Sequence, residues 1–231
     1  MQHRLRRHRL GSLSFSQSGE DVLVARLLRR LGVSTPTYLD IGANHPWRLN
    51  NTALLYIEGY RGVLIEPHPD HYRTLCKRRP GDRVVHAGIG AAAAASADFF
   101  VMSNPYLHTF SLEEAQAICA EGRAEMIETL QLPILSINEA IASHFDQAPN
   151  FVSLDTEGLD EQILESFDFS RCRPEVFCVE AVAYYDHQDN RSNDAIGDRL
   201  LDQGYLCYAD VHINRVYVDE QKWKQRHNPT P

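Results

Sequence analysis

The sequence predicts an α/β fold, a mostly parallel seven-stranded sheet flanked by helices and finished by a C-terminal antiparallel hairpin. Three observations carry this. Tyr38-Leu39-Asp40-Ile41-Gly42-Ala43-Asn44-His45-Pro46 is a short apolar run closed by an acid, one glycine and a polar loop. That order describes a buried parallel strand whose carboxyl end opens into the crevice where open α/β sheets hold ligands. Gly62-Val63-Leu64-Ile65-Glu66-Pro67 repeats the pattern one helix later. Two short runs, 205–209 and 215–218, then sit close enough together to form a hairpin.

The elements follow in order. His3-Arg4-Leu5-Arg6-Arg7-His8-Arg9 gathers basic residues with no apolar run behind it, so residues 1–14 read as a solvated basic arm and not as a signal peptide. Leu23, Val24, Leu27, Leu28 and Leu31 share one face of a helix. Ser18 with Asp21 makes a near capping box at its start, and Gly32 and Pro36 close it. Capping leaves Gln17 and Glu20 without a reason, which makes this turn, through Gln17, a candidate cofactor contact.

A second helix is expected over 51–58, stopping at Gly59, and a third through 71–79, ended by Pro80. Arg83-Val84-Val85-His86-Ala87-Gly88-Ile89 reads as a third strand, with an adenine edge expected near Gly88. Residues 91–95 are low in complexity, and 97–102 read as an extra strand. Ser103-Asn104-Pro105-Tyr106-Leu107-His108-Thr109 is a polar, aromatic loop of the kind that supplies substrate contacts.

Ser111-Leu112-Glu113-Glu114 reads as a capping box opening a helix to about residue 129. A short strand containing Pro133 suits only an edge, and Ser136-Ile137-Asn138-Glu139 is a further capping box for a helix ending near Phe145. Residues 150–155 and 176–180 are the fourth and fifth sheet strands, each ending in an acid. A helix over 192–203 with Gly204 at its C-cap position leads into the hairpin, and 221–231 read as a polar tail. Residues 15–220 thus form a single domain with an inserted segment near 97–135.

A chain of 231 residues, 43% hydrophobic, is large enough for one well-buried core. The formal charge of -8, from 31 acidic against 23 basic residues, argues against general nucleic-acid binding. Nothing approaches a membrane span in length. Cys76, Cys119, Cys172, Cys178 and Cys207 are odd in number and contain no Cys-x-x-Cys pair, so a reducing, cytoplasmic setting fits best.

The two acidic strand ends define the expected ligand. Dinucleotide sites use Gly-x-Gly-x-x-Gly to close the backbone on a pyrophosphate, but here Gly42 is followed by Ala43, Asn44, His45 and Pro46. Glu66 stands where a doubly wound nucleoside site places the carboxylate that binds both ribose hydroxyls, bonds worth roughly 1.5 to 3 kcal/mol each. A nucleoside without pyrophosphate, with a cationic or amino acid end near Asp40, points to S-adenosylmethionine. The cofactor candidates are accordingly Gln17, Asp40, Gly42, Ala43, Asn44, Glu66, Pro67 and Gly88.

Ser16-Gln17-x-Gly19-Glu20-Asp21, Leu39-Asp40-Ile41-Gly42-Ala43-x-x-Pro46, Asn51-Thr52, Gly62-x-x-x-Glu66-Pro67 and Asp155-x-Glu157-Gly158 together resemble the FkbM-type S-adenosylmethionine-dependent methyltransferases. The resemblance spans about residues 15–180. It implies a class I, Rossmann-like methyltransferase sandwich and O-methylation of hydroxyls on sugars or secondary metabolites. It also implies Asp40, Gly42 and Glu66 at the cofactor and Asp155 near a small-molecule or glycan acceptor. Where relatives often carry Ser-Asn-Thr, this chain has Asn50-Asn51-Thr52.

Methyl transfer needs a hydroxyl held in line and a base for its proton. Asp155 is the first candidate, since an acid ending a buried strand is costly unless paired; its structural alternative is a cap on the turn amides of Thr156 or Gly158. Glu180 ends the adjacent strand, and the two acids could divide acid and base roles or share a divalent cation, for which oxygen-only ligands suit magnesium. Hydrogen bonding to Arg173 or backbone amides is the alternative for that pair. His187, in Tyr184-Tyr185-Asp186-His187, is a third candidate base, or a surface histidine beside an aspartate. Two other functions stay open, a non-catalytic S-adenosylmethionine-binding protein and a nicotinamide oxidoreductase, the latter opposed by the missing glycines.

Overall fold

The computed structural model describes residues 12–180 and 194–226. A helix, α1 (Glu20–Arg30), precedes β1 (Thr37–Ile41), α2 (Ala53–Ile57), β2 (Arg61–Ile65), α3 (Pro69–Arg78) and β3 (Arg83–Val85). Next come β4 (Gly88–Gly90), β5 (Ala94–Met102), α4 (Leu112–Ala120), β6 (Met126–Ser136) and α5 (Ile137–His144). The chain continues through β7 (Phe151–Leu154), α6 (Asp160–Ser166), β8 (Val176–Glu180), α7 (Asp194–Asp202), β9 (Tyr205–Asp210), β10 (Asn214–Asp219) and α8 (Glu220–Gln225). Among the described residues no helix is long and apolar enough to cross a membrane.

The main sheet has the order β3-β2-β1-β7-β8-β10-β9. Its first five strands are parallel, and β10 runs antiparallel to both β8 and β9. The expected sheet and hairpin are therefore present. Parallel strands are covered on both faces, and the core is correspondingly split. Leu39, Ile41, Val152 and Leu154 pack with Ile137, Ile163 and Leu200 from α5, α6 and α7. Tyr38, Leu64, Phe151 and Cys178 pack with Leu27, Leu55 and Leu75 from α1, α2 and α3. Each fully buried aliphatic or aromatic side chain contributes about 1.5–3 kcal/mol.

Several expectations need correction. Residues 83–89 are two strands, not one: Glu66 N–H closes on the Val85 carbonyl at 3.0 Å, after which the chain leaves the main sheet and Gly88–Gly90 joins a second sheet of order β4-β6-β5. The helix opened by Ser111 ends at Ala120, because Gly122 takes φ +70° and its amide turns back to the Cys119 carbonyl. Residues 126–136 are then a long strand paired with β5.

Pro133 lies within that central strand, against the expectation of an edge. It is tolerated because pairing with β4 begins only at Ile134, and the β5 register shifts between Ala94 and Ala97, opposite Pro133. Ser18 does not cap α1; Ser16 Oγ accepts the amides of Gly19 (3.1 Å) and Asp21 (3.3 Å) instead. The tail from 221 contributes to α8, capped by Asp219 on the Lys222 amide (2.8 Å), with Trp223 edge-on to Tyr208.

The loop between β1 and α2 is held from beneath by one cation. Arg79, fully buried, donates to Asn50 Oδ1 (3.0 Å), Thr52 Oγ1 (3.0 Å), Tyr38 OH (3.1 Å) and Asp82 (2.8 Å). Asp40 accepts from Thr52 Oγ1 (2.6 Å) and Asn50 Nδ2 (3.2 Å), and Asn50 also donates to the Ala43 carbonyl (3.0 Å). This explains why α2 begins at Ala53 and not at 51. Arg79→Met leaves buried Asp40 and Asp82 without their cation and should lower unfolding free energy by about 3–5 kcal/mol, read from the urea midpoint at constant slope.

Candidate functional site

The carboxyl ends of β1, β2, β7 and β8 open into one cavity that is continuous with solvent. Its floor is the turn after β1. The amides of Gly42 and Ala43 both donate to the Ile65 carbonyl, at 3.0 and 3.2 Å. Gly42 has φ +78°, and a Cβ there would stand 1.9 Å from the Asp155 carbonyl oxygen, so the turn after β1 and the end of β7 touch through bare backbone.

Asn44, at φ +48°, donates its amide to Glu66 Oε2 and its side chain to the Pro105 carbonyl, both at 2.7 Å. Glu66 is 3% exposed, and its other oxygen accepts the His68 amide at 2.7 Å. Each carboxylate oxygen retains a second acceptor site, so these bonds orient Glu66 without exhausting it. Burial pushes its carboxyl up to about 7, against the pull of the two amides.

The structure brings Gln17, Gly42, Asn44, Glu66, Pro67, Gly88, Asp155 and Glu180 to the wall of this one cavity. Ala43 is buried beneath it. Asp40 does not line it. Strand residues alternate faces, and Asp40 shares with Tyr38 the face toward Arg79, where its carboxylate accepts from Thr52 and Asn50 and supports the loop. His187 lies outside the described residues. His45 Nδ1 accepts the amides of Trp47 and Arg48, which folds the loop on itself.

At one end, beside Ala87, Gly88 and Ile89, the wall is apolar and aromatic: Phe110 packs against Gly88, and Phe99 lies 4.7 Å from Phe110. Neighbouring His68 and His108 stack at 4.6 Å. Their Nδ1 atoms accept the amides of Asp70 (3.3 Å) and Met102 (3.0 Å), so the neutral rings carry their proton on Nε2. With His71 they form a trio whose burial lowers His71 to about 4 and His108 to about 3. With both Nδ1 atoms engaged by backbone amides, the His68 and His108 rings pack as part of the wall.

The other end is acidic. The cap expected of Asp155 is made instead by Asp160, which accepts the Thr156 amide at 3.1 Å. Burial first, then Asp160 and other acids, push Asp155 up to about 7. Burial and the neighbouring carboxylates raise Glu157 and Glu180 well above the usual range. Carboxylate oxygens of Asp155, Glu157 and Glu180 lie within 4.8 Å of one another. Two buried amides join them: Asn51 Nδ2 donates to Ser153 Oγ (3.1 Å) and Cys178 Sγ (3.7 Å), and Asn214 Nδ2 donates to Glu20 Oε1 (2.7 Å).

The sequence reading passed over Glu157, Asn214, Phe99 and Phe110 as site residues. Glu157 was accessible from its Asp155-x-Glu157-Gly158 motif, and the aromatic residues from the loop that precedes Phe110. For Asn214, which arrives from the distant hairpin, there was no signal.

The model of the methyltransferase FkbM domain matches residues 40–207. The chain belongs to the FkbM methyltransferase family. None of the curated proteins matches it. Solved structures similar to this FkbM protein include CalS10, an amino pentose methyltransferase from Micromonospora echinaspora, with 10% identity, 90% of this chain and 92% of that one covered, and a TM-score of 0.45. Precorrin-6y C5,15-methyltransferase from Geobacter metallireducens matches with 14% identity, 89% and 91% coverage and a TM-score of 0.43. An O-methyltransferase from Bacillus cereus matches with 12% identity, 90% and 82% coverage and a TM-score of 0.41.

The close approach of Gly42 to the Asp155 carbonyl is the contact of this FkbM site most sensitive to a single methyl group. Gly42→Ala adds both a backbone clash and an unfavourable positive φ, and is expected to cost more than about 2 kcal/mol of stability, measured by denaturant titration.

Proposed function

We propose that the protein transfers the methyl group of S-adenosylmethionine to a hydroxyl of a small-molecule or glycan acceptor. The observation that supports this most is the polarity of the cavity: Glu66 beside an aromatic, apolar end suited to a nucleoside, and Asp155 beside Glu157 and Glu180 at the other. Glu66 would hold the ribose hydroxyls and Gly88, with Phe110, the adenine edge. Gln17, Asn44 and Pro67 would line the path between them. Bound S-adenosylmethionine supplies an electrophilic methyl carbon whose bond to sulfur breaks, leaving the electron pair on S-adenosylhomocysteine, as the acceptor oxygen bonds to that carbon.

Asp155 takes the hydroxyl proton in this reading. A carboxylate in water is too weak a base for the task, and burial with surrounding acids brings this one near neutrality. Glu180 and Glu157 crowd it, so a proton taken up by Asp155 relieves repulsion. A second reading gives these three oxygen donors to a divalent cation such as magnesium; full activity after chelation removes it. The -8 charge supports a small acceptor over nucleic acid, and five unpaired thiols support a reducing, cytoplasmic compartment.

Calorimetric titration with S-adenosylhomocysteine is the direct test, with no binding by folded protein as the result that sinks the proposal. Loss of both ribose bonds in Glu66→Ala should weaken that binding by about two orders of magnitude. Asp155→Asn should lower kcat by about 10²- to 10⁴-fold with cofactor-product affinity kept. Since the base must be ionised, activity of the native enzyme should rise with pH through about 7 and level off above it, a limb that the Asn variant lacks.

A further inference from the structure

The acidic end of the cavity has more acceptor groups than proton removal needs. Asp155, Glu157 and Glu180 line it. So do Asn51, 8% exposed, and Asn214, 4% exposed. Asn214 Nδ2 is committed to the Glu20 carboxylate, which can only accept, and Asn51 Nδ2 donates to Ser153 Oγ and Cys178 Sγ. Each carboxamide oxygen is thereby left as the end without a donor among the described residues.

No lysine or arginine lines the cavity among those residues. Arg123 acts on Glu157 electrostatically from outside the wall. Buried acceptors and carboxylates left without donors are costly, so a ligand that brings N–H groups and positive charge is the best complement to this end.

S-adenosylmethionine alone does not bring enough. Its amino acid end carries an ammonium and a carboxylate that cancel, leaving one sulfonium charge beside three acid side chains whose ionisation burial and mutual repulsion oppose until a cation stands among them. If Asp155 receives the hydroxyl proton, Glu157 and Glu180 still face the acceptor with the oxygens of Asn51 and Asn214.

Resting on the methyltransferase reading above, we propose that the acceptor is an amine-bearing hydroxy compound, a cationic amino sugar or amino alcohol. Its protonated amine would be held by Glu157 and Glu180 and by the amide oxygens of Asn51 and Asn214. The amine is a recognition group, and the methyl group goes to a neighbouring hydroxyl. An ammonium group directs its three N–H donors to separate acceptors, which matches the carboxyl and amide oxygens gathered at this end.

The test uses the full chain saturated with S-adenosylhomocysteine and titrated calorimetrically at pH 7 with glucosamine, N-acetylglucosamine and glucose. Glucosamine should bind at least tenfold more tightly than either neutral sugar. Glu157→Gln and Glu180→Gln should each reduce that preference at least fivefold while S-adenosylhomocysteine affinity, which also reports that the variants fold, stays within twofold. Equal affinities, or no binding of glucosamine, overturn the inference. So does stoichiometric binding of magnesium ion that Glu157→Gln abolishes, since the carboxylates then serve a metal. Absence of S-adenosylhomocysteine binding by the native chain defeats the methyltransferase reading itself, whereas its binding without any amine preference defeats only the amine.

Discussion

One buried guanidinium sets the geometry on which the rest of this molecule depends. Arg79 has no exposed surface and reaches Asp82, Tyr38, Asn50 and Thr52 at once. Through Asn50 it fixes the carbonyl of Ala43, and through Thr52 it fixes the start of α2 beside Asp40. A loop carrying a single glycine has little intrinsic shape. Its course is imposed by a polar cluster on the hidden side of the sheet, where one guanidinium stands between two carboxylates and each hydrogen bond is strengthened by exclusion of water.

Above that support, the cavity is divided by chemistry. One end is bounded by neutral imidazoles, Phe99 and Phe110, and the other by carboxylates whose protons are held tightly because burial and mutual repulsion oppose ionisation. A bound molecule with an apolar ring at one end and a positive centre at the other has a single favourable direction. Orientation, the main requirement of an in-line displacement, is thus built into the distribution of charge along the wall.

The main sheet was legible because its information is local: Asp40-x-Gly42, Glu66, Asp155 and Glu180 each close an apolar run and need no distant partner to be recognised. What escaped depended on parity or on distance. Asp40 lies in β1, one residue before its end, and the partner that its face meets is Arg79, 39 residues later in the sequence. Residues 126–136 were read partly as helix because Gly122 was not recognised as the stop, although its positive φ is the kind a glycine serves. Asn214 became a wall residue only when the hairpin folded back against β8 and met Glu20.

Asn44 spans two parts of the protein that belong to different sheets. Its main chain holds the carboxylate at the end of β2, while its side chain holds Pro105 in the loop that follows β5. Any drift in the length or composition of that loop is therefore felt at the nucleoside end through one residue already in a strained conformation. In the proposed function this one residue would couple the loop after β5 to the carboxylate at the end of β2, so that a change in either is transmitted to the other.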